Sequence, residues 1–96
     1  MNLYQLIQQK RRQVLEIAQR HGAHNVRLFG SVARGETTET SDLDLLIEME
    51  PGRNLLDVIA IKQDLEDLLG CKVDVVTEAA ISPYLKENVL REAVRL

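Results

Sequence analysis

Asp42 and Asp44 lie one residue apart in the segment DLDLLIEME, whose remaining pattern is that of a largely buried strand. Side chains alternate between the two faces of a strand, so both carboxylates point the same way, with their Cβ atoms about 7 Å apart. Two carboxylates placed in this way repel each other and lose solvation unless a cation lies between them. The pair therefore indicates a candidate site for divalent cations.

A third carboxylate, Asp74, lies within the apolar run VDVV, which we expect to form a neighbouring strand. Three acids on rigid strands are typical of a magnesium site. The competing interpretation is that Asp42 and Asp44 belong to a strand end that dips into solvent. The acids by themselves leave both interpretations open.

Gly30 and Ser31 lie where a strand gives way to a helical turn, and ten residues separate Ser31 from Asp42. A glycine at such a corner lets a ligand approach the backbone closely, and the hydroxyl and free N–H groups at a helix start attract anions. A triphosphate could lie with its distal end on Ser31 and its inner phosphates beside metals held by Asp42 and Asp44. Alone, Ser31 could equally be a simple N-cap. The order and spacing of the three features favour a phosphate site.

Hydrophobic periodicity and turn residues predict the elements that would position these groups. Leu55 to Leu69 form a clear helical stripe, which we expect to pack into the core, and Tyr84 is expected to anchor the last helix there. The predicted elements, in order, are a helix over 3–20, a strand over 25–30, a turn over 31–35, a strand over 42–50, a helix over 55–69, a strand over 71–77 and a helix from 83 to the C-terminus. The order α-β-α-β-α-β-α predicts an α/β (α+β) fold, a small mixed sheet with helices packed on it.

Composition narrows the class of protein. Ninety-six residues predict a single domain over 1–96. A net charge of −3 and only three aromatic residues argue against nucleic-acid binding by a basic surface or by base stacking. The chain shows no signal peptide and no membrane span, and the single cysteine, Cys71, is typical of a reducing compartment, so we expect a cytoplasmic protein.

The segment GSVARGETTETSDLDLLIE resembles the G-S-x₁₀-D-x-D signature of the DNA polymerase β-like nucleotidyltransferase superfamily. More narrowly, G-S-x-A-R-G followed by S-D-x-D-L resembles the minimal nucleotidyltransferase (MNT) antitoxins. The motif matches without a gap, and the chain length and the later KVDVV extend the similarity over essentially the whole protein. A mild departure is Val32, where related sequences often carry a larger or basic residue.

The resemblance implies a role for each acid and for the glycine-serine corner. Asp42 and Asp44 would bind two Mg²⁺ ions. Asp74 would share one of these metals and accept the proton of the attacking hydroxyl. Gly30 and Ser31 would hold the phosphates of the nucleotide.

Two further motif positions, Arg34 and Ser41, are implied to belong to the nucleotide site. Arg34 would be structural or would steady the loop, and Ser41 would support the metal-binding acids. Whether position 32 contacts the nucleotide is left open by the valine found there.

The resemblance also implies a function. The protein would be the antitoxin of a HEPN/MNT toxin–antitoxin system and would transfer AMP from ATP to a tyrosine of its partner, a HEPN-domain RNase toxin. We expect the acceptor to come from this partner, in a hetero-oligomeric complex, without direct nucleic-acid or membrane contact. Two alternatives stay open: a binding antitoxin of the same fold that transfers nothing, and a nucleotidyltransferase subunit that modifies a small molecule.

Overall fold

The computed structural model describes residues 2–36 and 42–96, so Ser41 lies outside the described residues. In the described part of the chain, four strands form one mixed sheet in the order β3-β2-β1-β4. The strands are β1 (Ala23–Phe29), β2 (Leu43–Met49), β3 (Val73–Thr77) and β4 (Val94–Arg95). β2 is antiparallel to β1 and parallel to β3, and β4 is antiparallel to β1.

Helices are packed on this sheet. They are α1 (Leu3–Gln9), α2 (Arg11–Arg20), α3 (Gly30–Ala33), α4 (Leu55–Leu69) and α5 (Pro83–Glu92), with a 3₁₀ turn at Glu78–Ala80. α2 packs on β1, α4 packs on β3, and these two helices contact each other. The small mixed sheet with packed helices confirms the predicted fold class.

β2 is the central strand of the core. Leu43, Leu45 and Ile47 alternate along one face and are buried in the main hydrophobic cluster. Leu46 points to the opposite face and is also fully buried. Both faces of the strand are therefore covered at its middle, while its first residues lie at the edge of the core.

α4 begins and ends where the sequence predicts. The Asn54 side chain accepts the N–H of Leu56, and the Asp57 carboxylate accepts the N–H of Asn54, which closes the first turn. Gly70 ends the helix in the left-handed conformation, at φ 68°. The predicted core stripe is confirmed in its second half only, because Leu55 is 70% exposed.

The prediction of one continuous helix from Leu3 to Arg20 is wrong at Lys10. This residue leaves the helical region, with φ −102° and ψ 16°, and separates α1 from α2. The six residues between Ile7 and Val14 carry no apolar side chain, so no packing opposes the bend. The bend lets α1 contact α3 while α2 packs on β1.

The last helix does not reach the C-terminus. It ends at Glu92, Ala93 adopts an extended conformation, and β4 pairs with β1. The alternation Val94-Arg95-Leu96 fits a strand, and Leu96 is buried with its N–H donating to Val26 O at 3.0 Å. β4 thereby supplies hydrogen-bond partners to backbone groups of β1 on the side away from β2.

The expectation that Tyr84 anchors α5 in the core is also wrong. Its side chain is 92% exposed, since α5 buries no residue fully and meets the sheet with its other side. Ser82 nevertheless caps this helix, accepting the N–H of Tyr84. None of the helices in residues 2–36 and 42–96 has the length and apolar character of a membrane span.

Candidate active site

Asp44 lies at the centre of the candidate site. In the parallel pairing of β2 with β3 it is the direct partner of Asp74, which places the two Cα atoms about 5 Å apart. Partners in register point to the same face of a sheet, so the two carboxylates are neighbours. On the other side of β2, Asp44 pairs with Phe29, the last residue of β1.

Asp42 directly precedes β2 and is half-buried. Its charge acts on Asp44, which places both carboxylates in one electrostatic cluster. Lys72 Nζ lies 3.8 Å from Asp42 Oδ2 and is a cation at this site that sequence reasoning missed. A strand over 71–77 beside that of Asp42 was expected, but nothing in the sequence indicated Lys72 as a partner of Asp42.

The electrostatics of Asp44 are unfavourable in the folded chain. Burial raises the pKa of its carboxyl, and the neighbouring charges of Asp74 and then Asp42 raise it further, while Arg34 opposes the shift. A carboxylate held among other carboxylates gains most from a bound cation. The site is therefore arranged to favour positive charge beside Asp44.

Gly30 has a structural reason to be glycine beyond access for a ligand. It lies at φ 74°, and a Cβ built there would overlap Asp44 Oδ2 and lie 3.2 Å from Asp44 Cγ. The carboxylate thus fits against the bare Cα of Gly30. This contact joins the glycine-serine corner to the acids.

Ser31 and Val32 follow Gly30 in α3, and their side chains lie in different environments. Val32 is fully buried in the main core, which explains an apolar residue at the position where the motif departs from its usual pattern. Ser31 is half-buried in the first turn, whose N–H groups have no partners within the helix. Position 32 therefore faces the core, whereas Ser31 keeps part of its surface accessible to solvent.

Arg34 caps the C-terminal end of α3, and its side chain binds two glutamates. Its Nε donates to Glu36 Oε2 at 3.1 Å, and its Nη1 donates to Glu92 Oε1 at 3.0 Å. The second contact ties the corner after β1 to the end of α5. Glu92 is a second partner of the site that the sequence did not indicate, because it lies 58 residues away along the chain.

The donor set fits magnesium. Mg²⁺ prefers oxygen ligands and is commonly held by one or two carboxylates together with substrate phosphates and water. Among the described residues, no three Asp, Glu, His or Cys side chains converge tightly enough to enclose one ion on their own. Asp42, Asp44 and Asp74 instead form an open set on one face, to which phosphate oxygens could contribute the remaining ligands.

Comparison with known proteins finds similarity to nucleotidyltransferases. The family model for the nucleotidyltransferase domain matches residues 10–96. A Methanocaldococcus jannaschii protein named "putative protein adenylyltransferase" is 44% identical over 88 residues, which cover 92% of this chain and 95% of that protein. The protein adenylyltransferase MntA of Thermococcus cleftensis is 39% identical over 79 residues, covering 82% of this chain and 80% of that protein.

Solved structures share the fold. One described as a "putative minimal nucleotidyltransferase" superimposes with a TM-score of 0.90 at 52% identity and covers 100% of this chain and 97% of its own. A toxin–antitoxin complex with AMP-PNP superimposes with a TM-score of 0.76 over 88% of this chain and 69% of its own. At 20% identity, the second similarity concerns the fold alone.

Proposed function

Because the chain belongs to the nucleotidyltransferase domain family, we propose that it is a protein adenylyltransferase that acts as an antitoxin. It moves AMP from ATP to a tyrosine hydroxyl of a HEPN-domain toxin and so neutralises that partner. The protein adenylyltransferases among its relatives support the reaction, and the toxin–antitoxin complex of the same fold supports the kind of partner.

The observation that carries the proposal is the in-register pairing of Asp44 with Asp74, next to Gly30. It brings together acids from two strands and the corner that leads into Ser31. Sequence alone could not guarantee this meeting, since the two aspartates are 30 positions apart along the chain. A binding module has no use for mutually repelling carboxylates kept half-buried on rigid strands.

In the proposed reaction, the tyrosine oxygen forms a bond to the α-phosphorus of ATP, and the bond from that phosphorus to the oxygen that bridges the α- and β-phosphates breaks. Asp74 accepts the phenolic proton, and pyrophosphate leaves. Gly30 and Ser31 hold the phosphates, and Arg34 steadies the corner that presents them. Asp42 and Asp44, with Asp74, would hold Mg²⁺, which supplies Lewis-acid activation of the hydroxyl and charge neutralisation on the phosphates when bound.

A protein acceptor suits the surface beside the site. Glu92, which pairs with Arg34, ends helix α5, and this helix exposes Tyr84, Leu85 and Leu90. Exposed apolar side chains gathered on one helix are typical of a contact surface for another protein. A toxin seated on α5 would thus approach the acids from the same side as Arg34.

The test is transfer of label from α-³²P-ATP to the co-expressed toxin in the presence of Mg²⁺. We expect the toxin mass to increase by whole adenylate units and its RNase activity to fall. Asp42→Asn and Asp44→Asn should abolish labelling, while Asp67→Asn, an exposed acid on α4, should leave it unchanged.

The outcomes separate the classes of function. Full neutralisation by Asp44→Asn without labelling would identify a binding antitoxin and contradict the proposed reaction. Release of pyrophosphate with a small-molecule acceptor, and no labelling of the toxin, would identify a different substrate class. Labelling on a residue other than tyrosine would contradict the proposed acceptor group.

A further inference from the structure

Two charged side chains of α4 bind the backbone of one residue in β3. Lys62 Nζ donates to Val73 O at 2.9 Å, and the N–H of Val73 donates to Glu66 Oε2 at 3.0 Å. The same Lys62 Nζ lies 2.8 Å from Glu66 Oε2. The ion pair thus presents one donor and one acceptor to the backbone of a single residue of the strand.

The contacted groups lie at the open edge of the sheet. In the described sheet, β3 pairs with β2 on one side only. The N–H of Leu43 in β2 donates to Lys72 O, so the backbone groups of Val73, the next residue, point away from β2. Lys62 and Glu66 therefore supply the two hydrogen bonds that a further strand would otherwise provide.

The pair is placed beside the third acid. Val73 is fully buried, and Asp74 follows it directly. Because side chains alternate along a strand, a slip of β3 by one residue would turn Asp74 toward the core. A strand held at its N–H, its carbonyl and its side chain in one residue cannot slip or twist at that residue.

The order of Lys62 and Glu66 along α4 indicates that the pair serves the strand β3 rather than the stability of the helix itself. A glutamate four residues before a lysine stabilises an isolated helix better than the reverse order. Here the lysine comes first, and the order matches the donor and acceptor that Val73 needs. Glu66 accepts from Lys62 and then from Val73 N–H, and both contacts lower the pKa of its carboxyl, which keeps it ionised.

We propose that Lys62 and Glu66 are positioning residues that fix the direction of Asp74 for the transfer reaction. The proposal rests on the proposed function for the role of Asp74, and on the observed contacts for the role of the pair. It assigns a reaction-related role to two residues outside the motif.

The decisive variant is the charge exchange Lys62→Glu with Glu66→Lys. It preserves the composition and the helical ion pair, and gives the order that helices favour, but it presents a carboxylate to Val73 O and an ammonium to Val73 N–H. We expect kcat for adenylyl transfer to fall by about tenfold to a hundredfold, as for a displaced reacting group, with KM for ATP changed less than about twofold. The exchange Arg12→Glu with Glu16→Arg on α2 is the matched control, since that exposed pair has the same spacing, and we expect it to keep the wild-type kcat.

A second comparison separates positioning from simple stabilisation. Glu66→Gln keeps an oxygen that can accept the Val73 N–H, whereas Glu66→Leu does not. We expect Glu66→Gln to keep most of the wild-type kcat. We expect Glu66→Leu to lower kcat as much as the charge exchange does. Equal losses in both would indicate that only the ion pair matters and would overturn the proposal.

A readout without catalysis is the hydrogen-exchange rate of the Val73 amide in the free protein. We expect the exchange rate to rise in the charge-exchanged variant and in Glu66→Leu, but not in the α2 control. An unchanged rate, or a wild-type kcat in the charge-exchanged variant, would overturn the proposal. Wild-type protein that transfers nothing would contradict the proposed function instead, and the exchange rate would still decide whether the pair fixes Val73.

Discussion

The Cα of Gly30 fits against the carboxylate of Asp44, so that a Cβ at Gly30 would overlap Asp44 Oδ2. Gly30→Ala should therefore displace Asp44 as well as place alanine at φ 74°, where a side chain costs about 1–2 kcal/mol. We expect loss of transfer activity together with a fall of at least this size in the free energy of unfolding. Urea denaturation and the α-³²P-ATP assay measure the two effects.

Gly52→Ala is the matched control for this substitution. Gly52 lies at φ 90°, and a Cβ built there meets no atom within 4 Å. The control should lose stability for the same backbone reason and keep its activity. If Gly30→Ala also kept its activity, the contact with Asp44 would have no role in the reaction.

Asp44→Asn should inactivate the protein and stabilise it. Burial, followed by the charges of Asp74 and Asp42, raises the pKa of Asp44, so the folded state is penalised when this carboxyl ionises. Asparagine has nearly the same shape and no charge. In metal-free buffer at neutral pH we expect a higher midpoint of urea denaturation for the variant, since functional sites commonly reduce stability.

The gain in stability of Asp44→Asn should depend on pH, because the pKa of Asp44 is raised in the folded state. A raised pKa means that the folded state binds the proton more tightly than the unfolded state, whose pKa stays near 3.8. The cost of ionised Asp44 is therefore fully present above the folded pKa and disappears as the pH falls below 3.8. The difference between Asp44→Asn and the wild type should shrink over this window, and a difference that grew on acidification would contradict the assignment.

Magnesium together with a non-hydrolysable ATP analogue should stabilise the wild-type chain. A ligand that binds only the folded state adds about 2.7 kcal/mol to the free energy of unfolding at a hundredfold excess over Kd. We expect Asp42→Asn with Asp44→Asn to lose this increase, and EDTA to reverse it in the wild type. Asp67→Asn should respond as the wild type does, and an equal increase in the double variant would remove the carboxylates from the proposed metal site.

The sequence predicts well those features that depend on local chemistry. The largely buried pattern of DLDLLIEME identified β2, and the helical stripe from Leu55 to Leu69 gave the bounds of α4. An aspartate between valines indicated Asp74, and the structure places this residue in register with Asp44. In each case the signal lies within a few residues of the feature that it predicts.

Features that depend on contacts between distant segments were missed. The bend at Lys10 and the strand β4 arise because α3 and the edge of β1 lie nearby in space. Lys62 and Glu66 have the spacing of an ordinary surface ion pair, and their partner is backbone, which carries no sequence signal. The sequence therefore indicated the acids that the sheet brings together, but not Lys62 and Glu66, which contact the backbone beside Asp74.

The apolar stripe of α4 should divide into two classes of stability effect, although its sequence pattern is continuous. Leu65 is fully buried in the main core, and Leu55 is 70% exposed at the first turn. We expect Leu65→Ala to lower the free energy of unfolding by about 2–5 kcal/mol through the cavity that it leaves, and Leu55→Ala to change it by less than about 0.5 kcal/mol. Urea denaturation of the isolated protein measures both. If Leu55→Ala then weakened binding of the toxin while stability stayed unchanged, the partner would extend to this end of α4; a large loss of stability in Leu55→Ala would instead contradict its exposed position.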